Sequence, residues 1–272
     1  MPLGVLVVAL AVASALGTAP LRGNAQEGDP VTLTVSAAAD LTPAFEELGR
    51  RFEEATGVSV DFNFGSTGQL AEQIAAGAPV DVFAAANEDY VLDLADQGRI
   101  LPDSVQPYAR GRIVLWTLAD SPLTLAGIED VARPEVARVA IANPDHAPYG
   151  VAAREAMQSA GVWDGVQPKL VLGENIRDTL RYAETGNVDV AVVALSLAIQ
   201  GEGQWVLIPE DLHDPIDQAL GVVASTDHEA EARAFAEFVN GDEGREVMRR
   251  YGFVLPGEAL ATPAAAAATP VP

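Results

Sequence analysis

The sequence predicts an α/β fold of two lobes, each a mostly parallel sheet flanked by helices, with a ligand cleft between them. Three observations carry that expectation. Short β-rich runs alternate with segments of helical spacing. One run, VDVAVVAL at 188–195, is apolar almost without a break, as a strand covered on both faces must be. Two such alternating series follow each other with no long linker between them. The chain's 272 residues, 49% hydrophobic and 20% charged, suffice for two modest cores.

The first series opens with a strand at 31–36 (VTLTVS). A helix over 43–55 follows, with Ala44, Phe45, Leu48 and Phe52 on one face. A second strand spans 58–64, a helix 70–76, a short buried strand 80–85, and a helix 90–97 closed by Gly98. The second series has strands at 112–118 and 136–142, a helix at 150–160 ended by Gly161, and a strand at 169–172. It continues with a helix at 176–184 ended by Gly186 and the strand at 188–195, and the chain closes on helices at 229–240 and 243–251. These elements place the first lobe at 31–109 plus 222–256 and the second at 110–221. The hinges then lie near 108–112 and 215–222.

Composition excludes several functions. A formal net charge of −23 argues against a nucleic acid or an anionic membrane surface as partner. Without cysteine there is no disulfide, thiolate metal site, cysteine nucleophile or lipidated cysteine. The three histidines, His146, His213 and His228, are too scattered for a histidine-rich metal cluster. The N-terminus reads as a targeting segment: an apolar run from Gly4 to Leu16, then Gly23-Asn24-Ala25, a small-x-small site. The first basic residue is Arg22, after the run, so either the true start lies upstream or residues 1–25 are an atypical signal or a retained anchor. Either way the protein is expected outside the cytoplasm, periplasmic or on the outer membrane face. The Ala/Pro/Thr stretch at 257–272 is expected to be a disordered tail.

Ligands of such folds sit beyond the carboxyl ends of strands, where helix N-termini point inward. Four strand-to-helix turns are therefore candidates. In the first, Asp40 or Thr42 is placed to cap the helix begun by Pro43. In the second, Gly65-Ser66-Thr67-Gly68 presents hydroxyls and free N–H groups at a helix start, a site for an oxyanion; capping by Thr67 alone is the plainer alternative. In the third, Asn143-Pro144-Asp145-His146-Ala147-Pro148-Tyr149-Gly150, the Tyr149 N–H faces the cleft and its ring forms a wall. In the fourth, Gly173-Glu174-Asn175-Ile176-Arg177, Ile176 is placed for an N–H contact and Arg177 for either an anion or a surface carboxylate.

Taken together these turns resemble the substrate-binding proteins of molybdate ABC transporters, a type II periplasmic binding protein family. The resemblance rests on AAADLT at 37–42, FGSTGQLA at 64–71 followed by Gln73-Ile74, GAPVDVF at 77–83, NPDHAPYG at 143–150, VALS at 193–196 and RYGF at 250–253. It covers about 31–255. It implies a tetrahedral molybdate or tungstate dianion between the lobes, bound by neutral donors and passed to a membrane permease, with no catalysis and no cofactor. Thr67 would give its hydroxyl and N–H, and Tyr149 and Ile176 their N–H groups, with Ser66 close by; all would touch oxyanion oxygens, none the metal itself. Nothing requires more than a monomer.

Two positions depart from the family. Members commonly carry Ser or Asn where this chain has Asp40, whose ionised carboxylate would repel a dianion. Asp40 then either turns away to cap its helix, lending its N–H, or accepts a proton from an anion such as hydrogen phosphate; the first is preferred. Ala194 stands where some members have a Tyr hydroxyl, a loss that the bulk of Tyr149 offsets. Phosphate or sulfate is accordingly the alternative ligand. A hydrolase with Ser66 or Thr67 as nucleophile and His146 as base lacks a G-x-S-x-G or S-x-x-K motif. A regulator's sensing domain is disfavoured because no helix-turn-helix segment or basic face precedes these elements.

Overall fold

The computed structural model describes Met1 and residues 31–258. The targeting segment expected at 1–25 and most of the tail expected at 257–272 lie outside the described residues. Among those described, no helix is long and apolar enough to cross a membrane.

The first five-stranded sheet contains β1 (Thr32–Ala38), β2 (Ser59–Gly65), β3 (Val82–Ala85), β4 (Gln106–Gly111) and β10 (Ile216–Val222), in the order β2-β1-β3-β10-β4. The second contains β5 (Ile113–Thr117), β6 (Val139–Ala142), β7 (Leu170–Gly173), β8 (Val190–Ala194) and β9 (Gln204–Leu207), in the order β7-β6-β8-β5-β9. Pairing is parallel among β2, β1 and β3 and among β7, β6 and β8. β10 is antiparallel to both its neighbours, and so is β5. Each sheet thus has a single reversed strand, and the two share one topology. In each, the reversed strand is the first laid down after the chain crosses from the other lobe. The mostly parallel expectation holds for strand direction, but the hydrogen-bonded ladders are mixed.

Helices α1 (Thr42–Thr56), α2 (Thr67–Ala75) and α3 (Glu88–Asp96) pack on the first sheet, joined by the C-terminal α8 (Glu229–Asn240) and α9 (Asp242–Arg250). The apolar spacing read from the sequence is what α1 buries: Phe45 and Phe52 meet Phe235 of α8 edge-on, with ring centroids 6.1 and 5.3 Å apart. Full burial of each ring contributes about 2–3 kcal/mol, and each edge contact about 1 kcal/mol more. On the second sheet lie α4 (Pro148–Ser159), α6 (Ile176–Glu184) and the single turn α7 (Leu195–Ala198), with α5 (Trp163–Val166) packed against α4.

Three strands differ from the sequence reading. β4, β9 and β10 were not foreseen, and β10 joins the first sheet although 110–221 was expected to form the second lobe. The chain changes sheets at Arg112 and again over 208–215, so the second crossing precedes β10 rather than running along it. The physical reason is that β10 (IDQALGV) mixes polar and apolar residues without strict alternation, because most of its residues are buried and Gln218 is bonded inside the protein. Helices α2, α3 and α4 also start two or three residues earlier than expected, because their first turns are built from Thr67-Gly68, Glu88-Asp89 and Pro148-Tyr149 rather than from apolar residues.

Candidate anion site at the lobe interface

The shared topology makes β1 the counterpart of β6, and β2 the counterpart of β7. The four turns singled out in the sequence therefore follow the two equivalent strands of each sheet. The structure joins them. Asp40 lies in a single 3-10 turn (Ala39–Leu41) after β1, and its Oδ2 accepts the Tyr149 hydroxyl at 2.9 Å. From the turn after β2, the Ser66 hydroxyl donates to the His146 carbonyl at 2.6 Å, and Gly68 N–H donates to the same oxygen at 2.9 Å. Asn143 N–H donates to Gly173 O at 2.8 Å, tying the third turn to the fourth. Helix α6 packs against the Ala39–Leu41 turn and closes the circuit.

Asp40, Ser66, Thr67, Tyr149 and Ile176 are all buried, none more than 4% exposed. Thr67 and Ile176 are the first residues of α2 and α6, and Tyr149 is the second residue of α4 behind Pro148. Backbone N–H groups at these positions have no carbonyl available within their own helix. The Asn175 side chain accepts from Arg177 and Asp178 N–H, which leaves the Ile176 N–H to face outward from the cap. The Thr67 hydroxyl oxygen accepts Ala86 N–H at 3.1 Å, orienting its own proton for another acceptor. Among the described residues no Lys or Arg is buried, and no group of His, Asp and Glu is arranged to hold a metal ion. The turns thus offer neutral donors and the positive ends of helix dipoles, the chemistry suited to an anion.

Two expected roles change. Asp40 does not cap α1: that helix has no side-chain cap, and its first turn is tied by the Thr42 hydroxyl to Ala39 O at 2.8 Å. The Asp40 carboxyl enters a buried network instead. Its Oδ2 also accepts Gln218 Nε2 at 2.8 Å, and Gln218 Oε1 accepts the Tyr108 hydroxyl at 2.8 Å. Burial pushes the Asp40 pKa up from 3.8 to about 6, against the opposing pull of the hydrogen bonds from Gln218, Tyr149 and its own N–H. Burial likewise holds Tyr149 and Tyr108 well above the usual phenol range, and the Asp40 charge adds to it. Gly111 on β4 leaves the space for this network, since a Cβ there would stand 2.1 Å from the Tyr149 hydroxyl oxygen.

Ser66, expected beside the ligand, commits its hydroxyl proton to the opposite lobe. His146 Nδ1 lies 2.8 Å from its Oγ, a separation that a nucleophile and base would also show. The chemistry differs, because the Ser66 proton goes to a carbonyl and Nδ1 is left to donate. The neighbouring Asp145 is exposed, and no described residue bonds the other ring nitrogen. Arg177 is exposed on α6, beside the buried Ile176. Sequence reasoning missed Gln218 and Tyr108; neither stands in a turn, and only their burial on the crossing strands marks them.

Comparison with known proteins identifies the family. Residues 33–254 match the bacterial extracellular solute-binding protein family. The chain is 36% identical over 244 residues to the molybdate-binding protein ModA of Rhodobacter capsulatus, covering 89% of this chain and 96% of that one. It is 32% identical over 246 residues to ModA of Escherichia coli, covering 86% and 93%. Among solved structures, the periplasmic molybdate-binding protein of Azotobacter vinelandii is similar with a TM-score of 0.78 and 31% identity, over 82% of this chain and 99% of that one.

Proposed function

Since the chain belongs to the bacterial extracellular solute-binding proteins, we propose that it is the molybdate-binding component of an ABC importer, acting outside the cytoplasm as a monomer. It is a binding protein and not an enzyme; molybdate is cargo rather than cofactor. In this reading the N–H groups of Thr67, Tyr149 and Ile176 and the Thr67 hydroxyl take the dianion's oxygens, and Asp40 completes the pocket. Ser66 lies beside the anion and closes the lobes by its bond to His146. Tungstate, of nearly the same size and charge, is taken as well. The lobes close about Arg112 and 208–215, and the closed form delivers the anion to a membrane permease. Residues 1–25 direct export.

The observation that carries this reading is the meeting of three helix N-termini from two lobes, α2, α4 and α6, with no cation buried among them. Preorganised neutral donors in a site sheltered from water hold a dianion strongly, because bonds to a charged acceptor exceed neutral ones. The unpartnered Oδ1 of Asp40 favours one alternative, a hydrogen phosphate that donates its proton there.

Melting temperatures with molybdate, tungstate, sulfate and phosphate test the choice. Ligand at about 1,000 times its dissociation constant adds about 4 kcal/mol, which shifts the transition by roughly ten degrees in a protein of this size. Shifts with molybdate and tungstate alone support the proposal. A shift with phosphate alone, growing as pH falls, replaces it with the alternative.

A further inference from the structure

The Asp40 carboxyl is fully buried and used on one side only. Oδ2 takes two donors, the Tyr149 hydroxyl and Gln218 Nε2, whereas Oδ1 has no partner. A buried carboxylate oxygen left bare is costly. The same carboxyl lies close to its own backbone N–H, in the turn that faces the anion in the reading above. An ionised carboxylate there would set a second negative charge against the dianion with no cation between them.

We propose that Asp40 binds the anion as its neutral acid, donating Oδ1–H to an oxyanion oxygen, and that one proton is taken from solvent when the anion binds. This rests on the oxyanion reading of the site. The charge balance is complete: carboxylate plus one proton gives the acid, and the dianion enters unchanged. Two donors on Oδ2 leave Oδ1 as the place for the proton, and they hold the acid's orientation. Asp40 thereby does with a proton what a Ser or Asn would do at the same position without one.

The groups around it favour this state. Tyr149 and Tyr108 remain neutral phenols at physiological pH, held so by burial and then by Asp40 itself. Helix α6, packed on the turn, carries Arg181 paired with Asp178 at 2.5 Å, and Arg177 and Glu184 at exposed positions. From α1, Glu46 is exposed and Glu47 is bonded to Arg51 and Arg250; α7 contributes only the Ser196 hydroxyl, bonded to Asp40 O at 2.8 Å. Beyond Tyr149 stand Arg112, whose guanidinium donates to Gly252 O, and Glu210. None of these charges is paired with Asp40. Its pKa is already about 6 without ligand, and a dianion alongside raises it further.

The test is calorimetric titration of the intact protein with molybdate, in buffers of different ionisation enthalpy, from about pH 7 to about pH 8.5. Uptake of about one proton per anion is expected, with affinity falling about tenfold for each pH unit. In Asp40→Asn, whose amide is a permanent donor, uptake should vanish and affinity should become flat with pH. Binding by the wild-type protein without proton uptake overturns the neutral-acid role and leaves the molybdate reading standing. No molybdate binding at any pH overturns that reading, and this one with it. The wild-type measurement decides even if the variant fails to fold.

Discussion

Asp40→Asn also makes a sharp prediction about the ligand-free protein. The rise in the Asp40 pKa from 3.8 to about 6 corresponds to about 3 kcal/mol, at roughly 1.4 kcal/mol per pH unit. The sign follows from proton linkage. A carboxyl raised in the folded state binds its proton more tightly there than in the unfolded chain, so stability falls as pH rises through this window. Well below 3.8 the group is protonated in both states and costs nothing; above about 6 it is ionised in both and the whole cost is present. Asparagine keeps an oxygen for Tyr149 and Gln218 and exchanges one unpartnered atom for another, so the charge is the main difference. The variant should therefore be more stable than the wild type by about 1 kcal/mol at pH 4.5 and by about 3 kcal/mol at pH 8. Urea unfolding of both proteins at the two pH values measures it, and taking the difference cancels every other titrating group. An equal gap at both pH values, or a variant less stable at pH 8, would refute a buried, cation-free carboxyl.

Two glycines give further tests. In Gly68→Ala the new Cβ would stand 2.8 Å from the His146 carbonyl oxygen, so the lobes must part slightly. Oxyanion affinity should fall about tenfold in calorimetry while the melting temperature without ligand stays within a few degrees. In Gly111→Ala the Cβ meets the Tyr149 hydroxyl oxygen at 2.1 Å and Gln218 Nε2 at 2.9 Å. The network must break, at a cost of about 3 kcal/mol or more in urea unfolding.

The parts of the fold legible in the sequence were those governed by local periodicity. Runs such as VTLTVS and the Phe45–Leu48–Phe52 face announce their elements, because one strand or helix buries them by itself. β4, β9 and β10 did not announce themselves. β4 and β9 are edge strands laid down just before each crossing, held by the reversed strands β10 and β5, and β10 is a strand because it fits between β3 and β4; these pairings are long-range facts with no local signature. The site divides in the same way. Glycines, hydroxyls and prolines at strand-to-helix turns mark Ser66, Thr67, Tyr149 and Ile176, since those residue types are needed wherever a helix N-terminus is left open. The capping role expected of Asp40 gives way to bonds with Tyr149 and Gln218. An Asp before a helix reads as a cap, and only the fold brings Tyr149, 109 residues away, and Gln218, 178 residues away, to its carboxyl. The bond from Ser66 to His146, across 80 residues, is invisible in sequence for the same reason.

The most direct test is to locate molybdenum in crystals grown with molybdate, by anomalous diffraction at its absorption edge. The expected result is a single peak between the lobes, with oxyanion oxygens within about 3 Å of the N–H groups of Thr67, Tyr149 and Ile176 and of Asp40 Oδ1. A cleft without molybdenum, or a peak held by surface arginines such as Arg177 and Arg181, would contradict the neutral cage at the three helix N-termini.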